Sequence, residues 1–329
     1  MEMHIPKVSI IIPIYNADTH LKRCLDSIRE QSFYDFEAIM IDDGSTDNSS
    51  DICKSYADND KRFKYVFREN AGPDMARKTG TIIATGEFIA YVDADDYIAS
   101  NMLEIEIEAI ENTGADIVCS QIVRFNGDKE WSGSIYSEDD KLLTDRARII
   151  KAFFETGTLI GTYYAKLIKS SLMKDYGFIE DGLIGEDITA ALYMFEKSSK
   201  IAVIPDRLYY YYQNGKSISH AKYSYRHAVS LDNYIALRDK YIDMESVDKS
   251  RVCGYFAGYQ MAVATAMGRN GRYEKAAGEL LRRDLKDHWE YIKRDDKTAL
   301  YMKLCMILYM YNPRLFVYLF KLLYLMTGR

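Results

Sequence analysis

Apolar residues along the chain arrive first as short unbroken runs and later as helical repeats. "KVSIIIPIY" (7–15) is a continuous β-branched run ended by Pro13, which predicts a strand buried on both faces. "FEAIMIDDGS", "FKYVFREN" and "EFIAYVDADD" repeat that character and predict a second, third and fourth strand. Between them lie helical patterns. In "NADTHLKRCLDSIREQS" Leu21, Cys24, Leu25 and Ile28 fall on one face, with Asn16, Asp18 or Thr19 as a candidate cap. "TDNSSDICKSYADND" predicts a second helix opened by Thr46 or Asp47, and "GPDMARKTGTIIATG" a third. After the fourth strand "NMLEIEIEAIENTG" is helical and "ADIVCSQIVRF" extended.

Short alternating βα units predict an α/β fold, a Rossmann-like, mostly parallel sheet flanked by helices. Ligands of such sheets sit in the crevice at the carboxyl ends of the strands. Each strand here ends in polar chemistry: "YN" at 15–16, "DDGS" at 42–45, "ENAGPD" at 69–74 and "DADD" at 93–96.

Near residue 226 the pattern changes. Three long segments between 225 and 294 read as helices with few breakers, so we divide the chain into a catalytic domain over 1–225 and a helical C-terminal region over 226–329. The last thirty residues are intensely apolar, with Lys303, Arg314, Lys321 and Arg329 as their only charges. Spanning a membrane needs about 20 mostly apolar residues, and Lys303, Pro313, Arg314 and Lys321 interrupt this run. The expectation over 300–329 is two amphipathic helices on a membrane surface, or else a helical subdomain packed on the core or on a second subunit as a homodimer contact.

Composition narrows the function classes. A 329-residue chain that is 48% hydrophobic and 28% charged is globular. Its net charge of −6 argues against a nucleic-acid partner. Five scattered cysteines without a CxxC pair fit a reducing compartment, and the N-terminus lacks the pattern of a signal peptide. The expected location is the cytoplasm, with peripheral contact at the inner face of the cell membrane.

Three carboxylates crowd the end of the fourth strand: Asp93, Asp95 and Asp96. Alternate residues of an extended segment point the same way, so Asp93 and Asp95 are read as facing one ligand together. Hard oxygen donors of this kind suit Mg²⁺ or Mn²⁺, which usually keeps one or two protein carboxylates and takes the rest from substrate phosphates. The bland alternative is a strand-end turn that uses Asp as a capping residue.

Taken together, "VSIIIPIYNADTHLKRCLDSIREQSFYDFEAIMIDDGSTD", "ENAGPDMARKTG" and "GEFIAYVDADD" resemble the family 2 glycosyltransferases of the GT-A fold, inverting enzymes of the bacterial capsular, exopolysaccharide or adhesin-glycosylation type. The resemblance runs from about residue 7 to about residue 220. It implies a UDP-sugar donor, with Pro13 and Tyr15 along the base and Asp43 on the uracil edge. Asp42 is then structural, and Gly44, Ser45 and Thr46 form a turn and cap. Arg77 faces the base or diphosphate, Asp93 lies near the ribose with Ala94 beside it, and Asp95 holds the metal. Asp96 hydrogen-bonds behind them.

Inverting transfer also needs a base for the acceptor hydroxyl. In "GEDITAALYMF" the resemblance implies Asp187, with Glu186 orienting it or contacting the glycan acceptor; a carboxylate there also suits a helix N-terminus as a plain cap. Glu180 and Asp181 are weaker rivals. "YYYYQNGKSISH" (209–220) resembles the segment that closes over the donor, with Lys216 and Ser217 on the diphosphate and His220 on the metal or the diphosphate. Gln213 and Asn214 stand where the family often has Arg or His. Tyr163 and Tyr164, with Gly161, line the acceptor side or pack in a core strand. No glycine-rich triphosphate loop and no GxGxxG follow the first strand, which argues against a nucleotidyltransferase and a dinucleotide oxidoreductase. A non-catalytic partner subunit is the remaining alternative.

Overall fold

A computed structural model describes residues 4–127, 129–133, 135–178, 183–213 and 223–327. Strands β1 (Val8–Ile14), β2 (Phe36–Asp42), β3 (Phe63–Phe67) and β4 (Phe88–Tyr91) form parallel pairs in the order β3-β2-β1-β4. Every residue of β2 is buried, and in β1 only Pro13 is partly open, as two-sided burial of central parallel strands requires.

Alternate residues of β1 serve opposite faces. Val8, Ile10, Ile12 and Ile14 share a core with Leu21, Cys24, Leu25 and Ile28 of α1 (Asp18–Arg29), the stripe read from the sequence. On the other face Gly80 of α3 (Pro73–Ile83) lies directly on Ile11, where a Cβ would clash. Helices therefore cover both faces.

The cap expected for α1 is supplied from elsewhere. The residue before α1 is Ala17; its amide donates to Ser49 Oγ at 2.9 Å, and that of Asp18 to Asp47 Oδ2 at 3.0 Å. Asp47 also accepts from the Ser49 amide, and α2 starts there (Ser49–Asn59), later than Thr46 or Asp47. Asn16, at φ 50°, ties its side chain to the Thr46 amide at 2.8 Å. The start of α1 is capped by a contact between two loops, which local sequence does not reveal, while Asp47 also serves the first amide of α2 locally.

Beyond β4 the sheet is mixed. After β5 (Tyr97–Ile98) and α4 (Met102–Thr113) come β6 (Ile117–Phe125), β7 (Glu130–Ser132), β8 (Leu142–Leu143) and α5 (Arg146–Lys151). Next are β9 (Lys166–Lys169), α6 (Ser170–Lys174), α7 (Glu186–Lys197) and β10 (Ile201–Tyr212). β9 inserts antiparallel between β4 and β6, while β10 runs parallel to β6 and antiparallel to β5. The parallel expectation holds for the first half of the sheet; β9 arrives from a long connection and pairs against it.

The chain divides into two compact units, one holding residues 1–182 and 186–213, the other 183–185 and 214–329. The second contains α8 (Tyr225–Ile242), α9 (Lys249–Asn270), α10 (Lys275–Asp287), α11 (Trp289–Ile292), α12 (Leu300–Tyr311) and α13 (Pro313–Thr327). Leu231, Ala257, Met261, Leu281 and Tyr309 pack its core, and a buried Arg238–Asp284 pair joined by Gln260 spans α8, α10 and α9. Among the described residues no helix is long and apolar enough to cross a membrane.

Candidate active site

The strand ends of the first unit converge as expected, but the side chains divide the work differently from their spacing. Asp42 accepts from the Ser45 amide at 2.8 Å and the Tyr65 hydroxyl at 2.9 Å, so it holds the loop after β2. Asp43 is 2% exposed. Its carboxylate accepts from the Ala71 and Gly72 amides, at 3.1 and 2.8 Å, and pairs with Arg68 at 3.1 Å. Gly72 takes φ 96°, a left-handed backbone that glycine enters without strain, and so turns its N–H toward that carboxylate. Asp43 thus clamps the loop that starts α3. Pro13 and the exposed Tyr15 stand at the end of β1.

The acidic stretch is a turn rather than extended chain: the Asp96 amide donates to the Asp93 carbonyl at 3.0 Å. Ala94 and Asp96 are buried, while Asp93 and Asp95 are partly open. Asp96 accepts from the Tyr209 hydroxyl and the Tyr212 amide, both at 2.7 Å, and Tyr209 in turn receives the Asp93 amide at 3.1 Å. Burial and its two acidic neighbours hold the Asp96 carboxyl well above the usual range. Burial, then Asp93, pushes Asp95 up to about 6. A divalent cation would relieve that crowding. As hard oxygen donors Asp93 and Asp95 fit Mg²⁺ or Mn²⁺ whose remaining ligands come from phosphates. Among the described residues no three metal-ligating side chains cluster.

From the other side Arg23 of α1 clamps the turn, donating to the Asp95 carbonyl at 2.6 Å. Its guanidinium lies among Tyr97, Phe125 and Tyr212, with ring centroids 4.8 to 5.4 Å away. Sequence reading missed Arg23, because on a helix it looks like any surface cation.

Arg77 is the hub. It is 4% exposed and donates to Asp93 Oδ1 at 3.0 Å and to Glu186 Oε1 at 3.2 Å, with Asp187 Oδ1 at 3.7 Å. It also lies 4.6 Å from the centre of the Tyr163 ring. Burial opposes its charge, but Asp93, Asp187 and Glu186 outweigh that and keep the guanidinium firmly protonated. Tyr163, 1% exposed, donates to Asp74 Oδ1 at 2.6 Å and so belongs to the floor under Arg77. Tyr164 stacks on Tyr209 and Tyr211 at 4.7 and 5.4 Å. Asp74 is a further carboxylate that the sequence reading passed over.

Glu186 and Asp187 open α7. Burial and then Glu186 raise the Asp187 carboxyl well above the usual range, against the pull of Arg77. Asp187 Oδ1 is buried and has no hydrogen-bond donor among the described residues, while the side chain is 30% exposed. A partly open carboxyl of raised proton affinity suits general-base work near neutral pH. Glu180, Asp181, Asn214, Lys216, Ser217 and His220 lie outside the described residues.

Residues 9–175, about half the chain, match the model of glycosyl transferase family 2. Glycosyltransferase GlyA of Streptococcus pneumoniae is 32% identical over 215 residues, 62% of this chain and 30% of that protein. A poly(ribitol-phosphate) beta-glucosyltransferase of Bacillus spizizenii is 33% identical over 213 residues, again 62% of this chain and 32% of its own. The match thus spans about a third of each of these relatives. Among solved structures, S. aureus TarS 1–349 in complex with UDP-GlcNAc superposes with a TM-score of 0.69 at 20% identity, covering 98% of this chain and 92% of that one. At that identity the likeness concerns the fold.

Proposed function

This chain belongs to glycosyl transferase family 2 and has its GT-A fold, and from that premise we propose that it moves a hexose or N-acetylhexosamine from a UDP-sugar to a glycan acceptor with inversion. The observation that carries the reading is the bridge made by Arg77, which joins Asp93 at the strand end to Glu186 and Asp187 at the start of α7. One guanidinium thus contacts both the carboxylate we read as donor-side and the one we read as the base. The likeness to a structure solved with UDP-GlcNAc supports a UDP-sugar donor, and the Bacillus spizizenii relative supports a polymer acceptor. A lipid-linked polysaccharide precursor or a glycoprotein glycan fits that class. Five free cysteines support a reducing, cytoplasmic setting.

In this reading Tyr15 offers a face to the uracil and Pro13 flanks it. Asp43 shapes the same subsite through the loop at Ala71 and Gly72, and Asp93 accepts from the ribose. Asp95 holds Mn²⁺ or Mg²⁺, which when bound offsets charge on the departing diphosphate. Asp187 takes the proton of the acceptor hydroxyl as that oxygen bonds to the anomeric carbon from the face opposite the diphosphate. The bond to the diphosphate breaks in the same step and UDP leaves. Glu186, held by Arg77, orients the base. Lys216, Ser217 and His220 are proposed to reach the diphosphate or metal side.

Hydrolysis of a panel of UDP-sugars, with and without Mn²⁺, by wild type and Asp95→Ala tests this. Slow metal-dependent release of UDP from one donor, lost in the variant, supports the reading and names the sugar. No release and no UDP binding would point to another nucleotide or to a non-catalytic partner subunit.

A further inference from the structure

Helices α12 and α13 each carry two apolar faces. One faces inward: Met306, Tyr309 and Met310 of α12 and Phe316 and Val317 of α13 are buried in the core of the second unit. The other is open. Leu300, Leu304, Ile307 and Tyr311 recur at three- and four-residue steps along α12, each 45% exposed or more. On α13 Leu315, Tyr318, Leu322 and Met326 recur at the same steps, from 39% exposed at Leu315 to 85% at Met326. These two helices hold more than half of the exposed large hydrophobics among the described residues. Scattered apolar residues on a surface need no explanation, but two continuous stripes do.

Charge decides what covers them. Residues 297–327 contain Lys297, Lys303, Arg314 and Lys321 and no acid, within a chain of net charge −6. The Lys303 ammonium is used internally, on the Lys293 and Asp295 carbonyls at 3.0 and 2.6 Å. Lys297, Arg314 and Lys321 are exposed. A second copy docking about a two-fold axis would bring two net-basic patches together at a Coulombic cost, whereas an anionic surface gains from the same charges. No described helix can span a bilayer. An amphipathic pair with leucine and tyrosine on its open face and cations beside them suits the interface of an anionic membrane, where phosphates meet the cations and the stripes enter the acyl boundary.

We propose that the outward faces of α12 and α13 dock this chain on anionic lipid. The inference rests on the second unit alone and is independent of the chemistry assigned to Asp95 and Asp187. Docking there would hold the enzyme at the surface where a lipid-linked acceptor resides.

The test is flotation of the full chain with phosphatidylcholine vesicles and with vesicles of phosphatidylcholine and phosphatidylglycerol in equal parts. The expected result is binding to the mixed vesicles at least about tenfold stronger, weakening as salt rises. Leu304→Glu with Leu322→Glu should abolish binding. Arg314→Gln with Lys321→Gln, which removes two exposed charges and no buried residue, should weaken it severalfold while UDP binding stays unchanged. Three outcomes would overturn the proposal: no binding to either vesicle, equal binding to both, or a wild-type dimer in solution that Leu304→Glu separates without any lipid effect.

Discussion

The guanidinium of Arg23 donates to the backbone carbonyl of Asp95, across 72 residues of sequence, at 2.6 Å. A helix-borne cation thereby fixes the turn whose carboxylates are assigned to ribose and metal. With Tyr209 and Tyr212 gripping Asp96 from β10, the turn is held from two sides.

Arg23→Ala should therefore raise KM for the UDP-sugar and weaken Mn²⁺-dependent UDP binding by about tenfold, the scale of a small misplacement of binding groups. Arg23→Lys should not restore it, since an ammonium cannot stack flat among Tyr97, Phe125 and Tyr212 while donating to the carbonyl. Calorimetric titration with UDP and Mn²⁺ measures this; unchanged affinity in both variants would remove the clamp from the account.

Asp187→Asn should leave a folded chain that still binds UDP yet transfers at least about a hundredfold more slowly, the loss expected for a base. Asp95→Ala should lose metal-dependent binding as well as turnover. Transfer assays beside UDP titrations separate the two, and an Asp187→Asn enzyme near wild-type rate would displace Asp187 from its role.

The pH profile should report the environment of Asp187. Burial and Glu186 raise its carboxyl above the usual range while Arg77 lowers it. A base works ionised, so activity should fall as pH drops through that raised value, at higher pH than for an exposed aspartate. Arg77→Met removes the lowering influence, and the acid limb of kcat should move to still higher pH. Because it leaves three partly buried carboxylates without their shared cation, the same change should also lower stability by denaturant unfolding.

Away from the site, Glu106 is fully buried and accepts from the Ser120 hydroxyl at 2.8 Å. Burial lifts its carboxyl from an ordinary 4.5 to about 8. The folded state prefers the protonated form, so this residue's contribution is complete below pH 4.5 and is lost as pH climbs to about 8. Glu106→Gln should flatten that slope: its melting temperature relative to wild type should rise between pH 5 and pH 8, by a few degrees. A constant difference across the range would show that Glu106 does not titrate there.

Local periodicity was enough for the first four strands and the helices between them. Continuous apolar runs marked β1 to β4, the Leu21, Cys24, Leu25 and Ile28 stripe marked α1, and polar strand ends marked the crevice, because burial and helical pitch are written in consecutive residues. Family resemblance added the roles expected of Asp93, Asp95 and Asp187. Three-dimensional packing decided what each carboxylate touches. It turned residues 93–96 back on themselves, slid β9 antiparallel beside β4, aimed Asp43 at the amides of Ala71 and Gly72, and brought Arg77 to Glu186 from 109 residues away. Sequence spacing reports which faces of an element are apolar. The partner of a buried charge is chosen by desolvation, which forces it toward whichever opposite charge or donor the folded chain delivers, and no local pattern carries that address.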